Sequence, residues 1–346
     1  MNGDVAELFG KCMCLVIGMS LVLSVSIIGS AVLRGAEGDA TVEQDKILYP
    51  DTDQNLNFPG GNGSEENPYQ IENWTHLNNV RDNLSASYEL VNDLDNETDG
   101  YDKYASEQAD DGKGWNPIGN NSERFKGSLY GNESEIRNLY ISRDSWYVGL
   151  FGYIGIEGEV SRIGVVEMNL TESTGNRYFV GGIAGSNGGS IYSSYSSGNI
   201  KGINWVAGLV GKNENGDINS TYVTGEVSAD GQNGGALVGE NTGTVANSFW
   251  NNETSGQDES AGGTGKNTTE MQEYETYANT STEGLDEPWD ILRVEAEKVN
   301  TSSIWNIVDG WDYPFLSWKD NPVASEIDFE LLDWEVNPES VEAGGE

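Results

Sequence analysis

Gly208-Leu209-Val210-Gly211-Lys212-Asn213-Glu214-Asn215-Gly216-Asp217-Ile218-Asn219-Ser220-Thr221-Tyr222 decides how this chain is read, because its pattern recurs on both sides. Gly149-Leu150-Phe151-Gly152 opens the series, Gly182-Ile183-Ala184-Gly185 comes next, and Ala236-Leu237-Val238-Gly239 ends it with the first glycine replaced. The closing glycines are 33, 26 and 28 residues apart. Two residues after each of the last three stands an asparagine: Asn187, Asn213, Asn241. Ten or eleven residues after the same glycines stands an aromatic, Tyr195, Tyr222 or Phe249, each behind Ser194, Thr221 or Ser248, with Ile191, Ile218 and Val245 between. Features that hold one register three times over define a repeating unit.

The unit is too glycine-rich and too uneven in length for helical repeats. Runs such as Gly-Leu-Val-Gly and Ile-x-x-Ser-Tyr suit brief strands ended by tight turns. Glycine tolerates positive φ, so glycines are expected at the corners. Asparagine can take the left-handed region and bond a stacked neighbour. Coils stacked at about 4.7–4.9 Å align like with like. This predicts an aliphatic column (Leu150, Ile183, Leu209, Leu237) and an aromatic column (Tyr195, Tyr222, Phe249), both pointing inward. The expected fold is mainly β, a Gly-rich parallel β-solenoid or β-helix-like array in which neighbouring coils bury each other's faces.

Around the repeats at 147–250, the chain divides further. Residues 1–11 are an N-terminal flank. The charge-free run Cys12–Leu33 lies between Lys11 and Arg34. A bilayer takes about 20 apolar residues as a helix, whereas the apolar part of a signal peptide is about 7–15. Asp4 and Glu7 also suit a signal peptide poorly. One transmembrane signal-anchor over 12–33 is expected ahead of a cleaved signal, with the bulk of the chain outside the cell. Residues 34–57 read as an acidic linker. Residues 58–146 read as an N-terminal cap with first strands, including a short helix over 73–84 capped by Asn73, and a strand near Tyr88–Leu94. Residues 251–320 read as a C-terminal cap, with Trp289, Trp305, Trp311 and Trp318 buried over the open end.

The 57 acidic and 18 basic residues give a net charge of −39. That excess repels a phosphate backbone, so no nucleic-acid partner is expected. It also destabilises a compact state in dilute buffer. Molar salt shortens the Debye length to about 3 Å and relieves this, which points to a halophilic setting. Cys12 and Cys14 are the only cysteines, so the remainder has no disulfide or cysteine metal site. Twelve Asn-x-Ser/Thr sequons, at Asn62, Asn73, Asn83, Asn96, Asn120, Asn132, Asn169, Asn219, Asn252, Asn267, Asn279 and Asn300, fit an exported glycoprotein.

The Gly-Leu-Val-Gly units with their asparagines resemble the GLUG-motif repeats of bacterial and archaeal surface proteins. Asn67-Pro68-Tyr69-Gln70-Ile71 with Trp74 and Leu77 is similar to the segment that precedes such repeats. Phe125-Lys126-Gly127 with Ile136 and Leu139 resembles their strand pair. Ser248-Phe249-Trp250, Gly262-Gly263-Thr264-Gly265 and the Trp305 to Leu316 segment resemble the standard segments after the last repeat. In the tail at 321–346, Val336, Pro338, Val341 and Gly344 resemble the first strand of a CARDB-type, immunoglobulin-like domain, cut short. The resemblance implies a surface protein and names no activity.

The chemistry-bearing residues add little. His76 is the sole histidine, which leaves no histidine-based metal site or serine triad; it is expected on the polar side of its helix. Asp51–Asn57 has alternating oxygen ligands but lacks the Gly and Glu of a calcium loop. Asp93, Asp95 and Asp99 read as a solvated acidic loop. No catalytic residue, cofactor or metal is assigned. The expected function is a non-catalytic cell-surface binding, adhesion or spacer module, with a surface glycan or protein as ligand and the membrane reached through the N-terminal helix. The alternative is a polysaccharide lyase or glycoside hydrolase on the same scaffold. A groove holding two or more close carboxylates with a Lys or Arg would favour that enzyme.

Overall fold

The computed structural model describes residues 58–132, 134–171, 178–231 and 233–317. The expected membrane or signal helix at 12–33, the linker at 34–57, Trp318 and the tail at 321–346 lie outside them. Among the described residues no helix is long and apolar enough to cross a membrane.

The repeats form a parallel β-solenoid of about four coils. Each coil contributes a strand to each of four sheets, except that the third gives two to the fourth sheet and the last adds only an isolated bridge, Ala207 to Gly235, to the first. The first sheet stacks Tyr147–Val148, Phe179–Gly181 and Val206–Ala207. The second, carrying the repeated motif, stacks Phe151–Ile154, Ala184–Asn187, Val210–Asn213 and Val238–Asn241. The third stacks Glu159–Ser161, Ser190–Tyr192, Asp217–Asn219 and Thr244–Ala246. It also runs back through Ser128–Tyr130 and Ser87–Leu90 to Tyr69–Ile71. The fourth stacks Gly164–Thr171, Tyr195–Gly202, Tyr222–Val223 with Glu226–Ala229, and Phe249–Asn251.

The motif glycines do not turn corners. None of Gly149, Gly152, Gly182, Gly185, Gly208, Gly211 and Gly239 has a positive φ. They are glycines because the coils come too close for a Cβ. A Cβ on the first glycine of a motif would meet the next coil: on Gly182 it would lie 2.5 Å from the Gly208 carbonyl oxygen, and on Gly208 2.7 Å from that of Ala236. One on the second glycine would meet the coil before: 2.7 Å from the Val148 nitrogen for Gly185 and 2.5 Å from the Val180 nitrogen for Gly211. Ala236 holds the first-glycine position of the last coil, where its N–H donates to the Glu259 carbonyl at 3.0 Å.

The corner between third and fourth sheets is instead made by Arg162, Ser193, Ser220 and Asn247. All four are left-handed, with φ of 53°, 48°, 53° and 48°. Such a φ penalises β-branched side chains most, and none of the four is β-branched.

Leu150, Ile183, Leu209 and Leu237 form the expected inner column, all fully buried. Val160, Ile191 and Ile218 line the interior from the third sheet, and Val165, Val223 and Trp250 from the fourth. Burying each Leu or Ile contributes roughly 1.5–3 kcal/mol. The aromatic column differs from expectation. Tyr195, Tyr222 and Phe249 pair in register, but belong to a separate core with Met271, Tyr277, Trp289 and Trp305. Successive residues of a strand face opposite ways. Ser196, Val223 and Trp250 come directly after them and are the ones that point inward, so the aromatic column lies on the outer face of the fourth sheet.

The C-terminal segment covers that face. Trp305 lies 5.8 Å from both Tyr195 and Tyr222, and Trp289 packs 5.0 Å from Trp305. The Tyr222 hydroxyl donates to the Pro314 carbonyl at 2.7 Å. The tryptophans expected to close the open end thus pack against a flank, and Trp311 is exposed. The end is met by residues 259–266: Ala236 N–H donates to the Glu259 carbonyl, Ala261 N–H to Val238, and Thr264–Lys266 adds a strand beside Phe249–Asn251.

Upstream, Asn73 caps Trp74–Asn79 by accepting from the His76 N–H at 2.9 Å, and the expected helix tightens into a 3-10 turn over Val80–Asp82. His76 is buried rather than on a polar surface.

Candidate functional site

The repeat residues singled out from sequence build a scaffold. Ala184, Val210 and Val238 align, and so do Asn187, Asn213 and Asn241 three residues further on. Asn187 Nδ2 donates to Asn213 Oδ1 at 3.0 Å, and Asn213 Nδ2 to Asn241 Oδ1 at 2.9 Å. Asn213 Nδ2 also reaches the Gly216 carbonyl at 2.9 Å, and Asn187 Oδ1 accepts from the Gly189 N–H at 3.1 Å. Ile154 holds the same register in the first coil and ends the ladder. Amides carry both donor and acceptor, so the stack can satisfy itself in the interior.

Three outward features remain for chemistry. The first is a cleft of about 510 Å³ over the third sheet, lined by Glu65, Pro68, Tyr88, Glu89, Ser128, Tyr130 and Glu159. It gathers three carboxylates, but no Lys or Arg is among these lining residues. Gln70 Nε2 donates to Glu89 at 3.4 Å and the Tyr192 hydroxyl to Glu159 at 2.7 Å.

The second is an aromatic strip along the first sheet. Tyr147 and Phe179 stack at 5.7 Å, and Phe179 and Trp205 meet at 5.1 Å, one ring per coil. Sequence reasoning passed over this column. Its signal was an aromatic two or three residues ahead of the first three motifs. Beside it the Tyr153 hydroxyl donates to Glu214, joining the first and third coils. Burial, then this bond, pushes Tyr153 up to about 12. The same bond holds the Glu214 carboxyl below its ordinary range.

The third is the acidic loop at Asp93, Asp95 and Asp99. Asp95 Oδ1 accepts from Thr98 Oγ1 at 2.8 Å and from the Glu97 and Thr98 N–H groups, which lowers its carboxyl. Asp93 Oδ1 accepts from the Glu135 N–H at 2.8 Å. Asp95 thus ties a local turn, and Asp93 fastens the loop to the strand at Glu135. His76 Nδ1 accepts from the Glu72 N–H at 3.3 Å, and burial lowers its pKa. Among the described residues no group of three or more His, Cys, Asp or Glu could hold a metal ion.

No known family profile matches the chain. It is 39% identical over 137 residues to a protein provisionally described as a Gly-rich membrane protein of Evansella cellulosilytica, a match covering 39% of this chain and 15% of that protein. It is 33% identical over 158 residues to halomucin of Haloquadratum walsbyi, covering 44% of this chain and 2% of halomucin. The chain thus spans only a small part of the curated relatives it matches. A Bacteroides ovatus crystal structure, provisionally described as an immunoglobulin A1 protease, aligns with a TM-score of 0.44 at 21% identity, over 57% of this chain and 60% of the other.

Proposed function

We propose that this chain is a non-catalytic module of the cell surface, a solenoid spacer that displays binding groups on its outer faces. The observation that carries this reading is the self-satisfied stack. The repeat residues are spent on coil-to-coil contact, while aromatic and acidic side chains recur outward. The resemblance to GLUG-motif surface proteins and the match to a protein described as a membrane protein support it. The charge of −39 supports a salt-rich setting.

Ten of the twelve sequon asparagines are exposed. The other two, Asn73 and Asn267, cap helices through their side-chain oxygens. That distribution supports glycosylation at the exposed ten. Protease shaving of intact cells tests the location: peptides from 58–317 should be released without lysis. Their recovery only after lysis would refute it. The enzyme reading has its place in the carboxylate cleft. Product release from a polysaccharide, lost on Glu159→Gln, would establish that reading against ours.

A further inference from the structure

Trp146 is 58% exposed. It forms one wall of a cleft of about 550 Å³ with Asn120, Asn121, Asp144, Ser145 and Tyr147. The cleft adjoins a second hollow of about 280 Å³ that shares Asn120, Ser145 and Tyr147. The second hollow adds Arg81, Asn116 and Glu123 to the lining.

The ring is held from one side. Tyr178 meets Trp146 edge-on at 6.2 Å and 87°, and the Tyr178 hydroxyl donates to Asp144. The Trp146 carbonyl accepts from the Phe179 N–H at 2.9 Å, which ties this wall to the second coil. The amides opposite are oriented too. Asn120 Oδ1 accepts from the Ser122 and Glu123 N–H groups at 2.8 and 3.0 Å, and Asn121 Oδ1 accepts from Arg124 at 3.2 Å. Both amides keep an Nδ2 donor, and Asp144 supplies acceptors.

We infer that this cleft binds a neutral glycan, with Trp146 as the stacking platform and Asn121 and Asp144 as hydroxyl partners. A sugar ring has an apolar C–H face and a rim of hydroxyls that both donate and accept. An exposed indole beside amides and a carboxylate complements both parts. Charge selects the neutral class. Asp144 and Glu123 line the hollows, and the net charge of −39 repels uronates, sulfated sugars and nucleic acid. Arg81, the cation at the hollow, is already engaged by the carbonyls of Asn78 at 2.8 Å and Asn116 at 2.9 Å.

The inference rests on the binding-module reading and names its ligand class and site. The test uses the full chain, made without N-linked glycosylation so that the sequon residue Asn120 stays bare. An array of neutral and uronate oligosaccharides in molar NaCl is followed by calorimetry with cellohexaose, mannohexaose and hexagalacturonate. We expect binding to a neutral hexasaccharide, weakened at least tenfold by Trp146→Ala and at least threefold by Asn121→Ala. Trp146→Phe should stay within a few-fold of wild type. Trp311→Ala, an exposed tryptophan elsewhere, should leave it unchanged. Neutral-glycan binding unaffected by Trp146→Ala, or a preference for the uronate, overturns the inference while leaving the binding-module reading in place. No binding by the wild-type chain to any glycan on the array overturns the inference, and the surface location is then judged separately by shaving.

Discussion

Replacing Asn213 by alanine removes the middle rung of the amide ladder. Its side chain is fully buried, receives Asn187 and donates to Asn241 and Gly216. The variant leaves the Gly216 carbonyl without this donor and Asn187 Nδ2 with only the Gly189 carbonyl at 3.3 Å. A buried polar group stripped of its partner costs about 1–3 kcal/mol. With the small void added, the loss is about 3 kcal/mol. At about 2–4 °C per kcal/mol for a domain of this size, Tm should fall by about 6–12 °C. Asn241→Ala is the control. It occupies the last rung, half-buried, where water can replace the lost partner, and should cost about 1 kcal/mol. Thermal melts in molar salt compare the two. Equal losses, or a milder effect at Asn213, would refute the idea that the ladder stabilises the stack from within.

Trp305→Ala should cost about 3–5 kcal/mol and expose Tyr195 and Tyr222, read as faster hydrogen exchange over 268–317; unchanged exchange there contradicts the flank packing. Tyr195, Tyr222 and Tyr277 are all raised well above the ordinary tyrosine range, by burial first. Their stabilisation is therefore complete below about pH 10 and lost above it, and an ultraviolet titration should show them ionising only as the fold opens. His76 has a lowered pKa, so the unfolded chain binds the extra proton and stability falls as pH drops below about 6.5. His76→Gln should flatten that part of the profile, and an identical slope would dismiss the histidine. Tm should rise between dilute buffer and molar NaCl, because screening removes repulsion at a net charge of −39; a flat or falling Tm counts against a salt-adapted chain.

The period of the repeats and the leucine column were legible because every coil repeats them with similar residues. The illegible parts rest on chemistry that does not repeat. The left-handed corner uses Arg162, Ser193, Ser220 and Asn247, which share a backbone angle and little else. The motif glycines looked like turns because the sequence cannot distinguish a glycine required by φ from one required by a neighbour's carbonyl. The side of Tyr195 was misjudged because both faces of the fourth sheet are buried. Ser196, which points inward, donates its hydroxyl to the Gly208 carbonyl at 2.8 Å and so looks polar in sequence. The clue lay in the tryptophans at 289 and 305, which needed an apolar surface to pack on. Trp146 stands three residues ahead of its motif, as Phe179 and Trp205 do of theirs, so spacing alone places it in the column that the structure gives to Tyr147.

Disulfide trapping tests the stacked register most directly. Ser190, Asp217 and Thr244 align on the outer face of the third sheet, one per coil. Neighbouring strands lie about 4.7–4.9 Å apart, within the Cα separation of about 4.4–6.8 Å that a disulfide accepts. In a background lacking Cys12 and Cys14, Asp217→Cys with Thr244→Cys should cross-link rapidly under mild oxidation. Ser190→Cys with Thr244→Cys, two coils apart, should stay reduced. A reduced first pair, or a second pair that closes as readily, would contradict the parallel in-register solenoid.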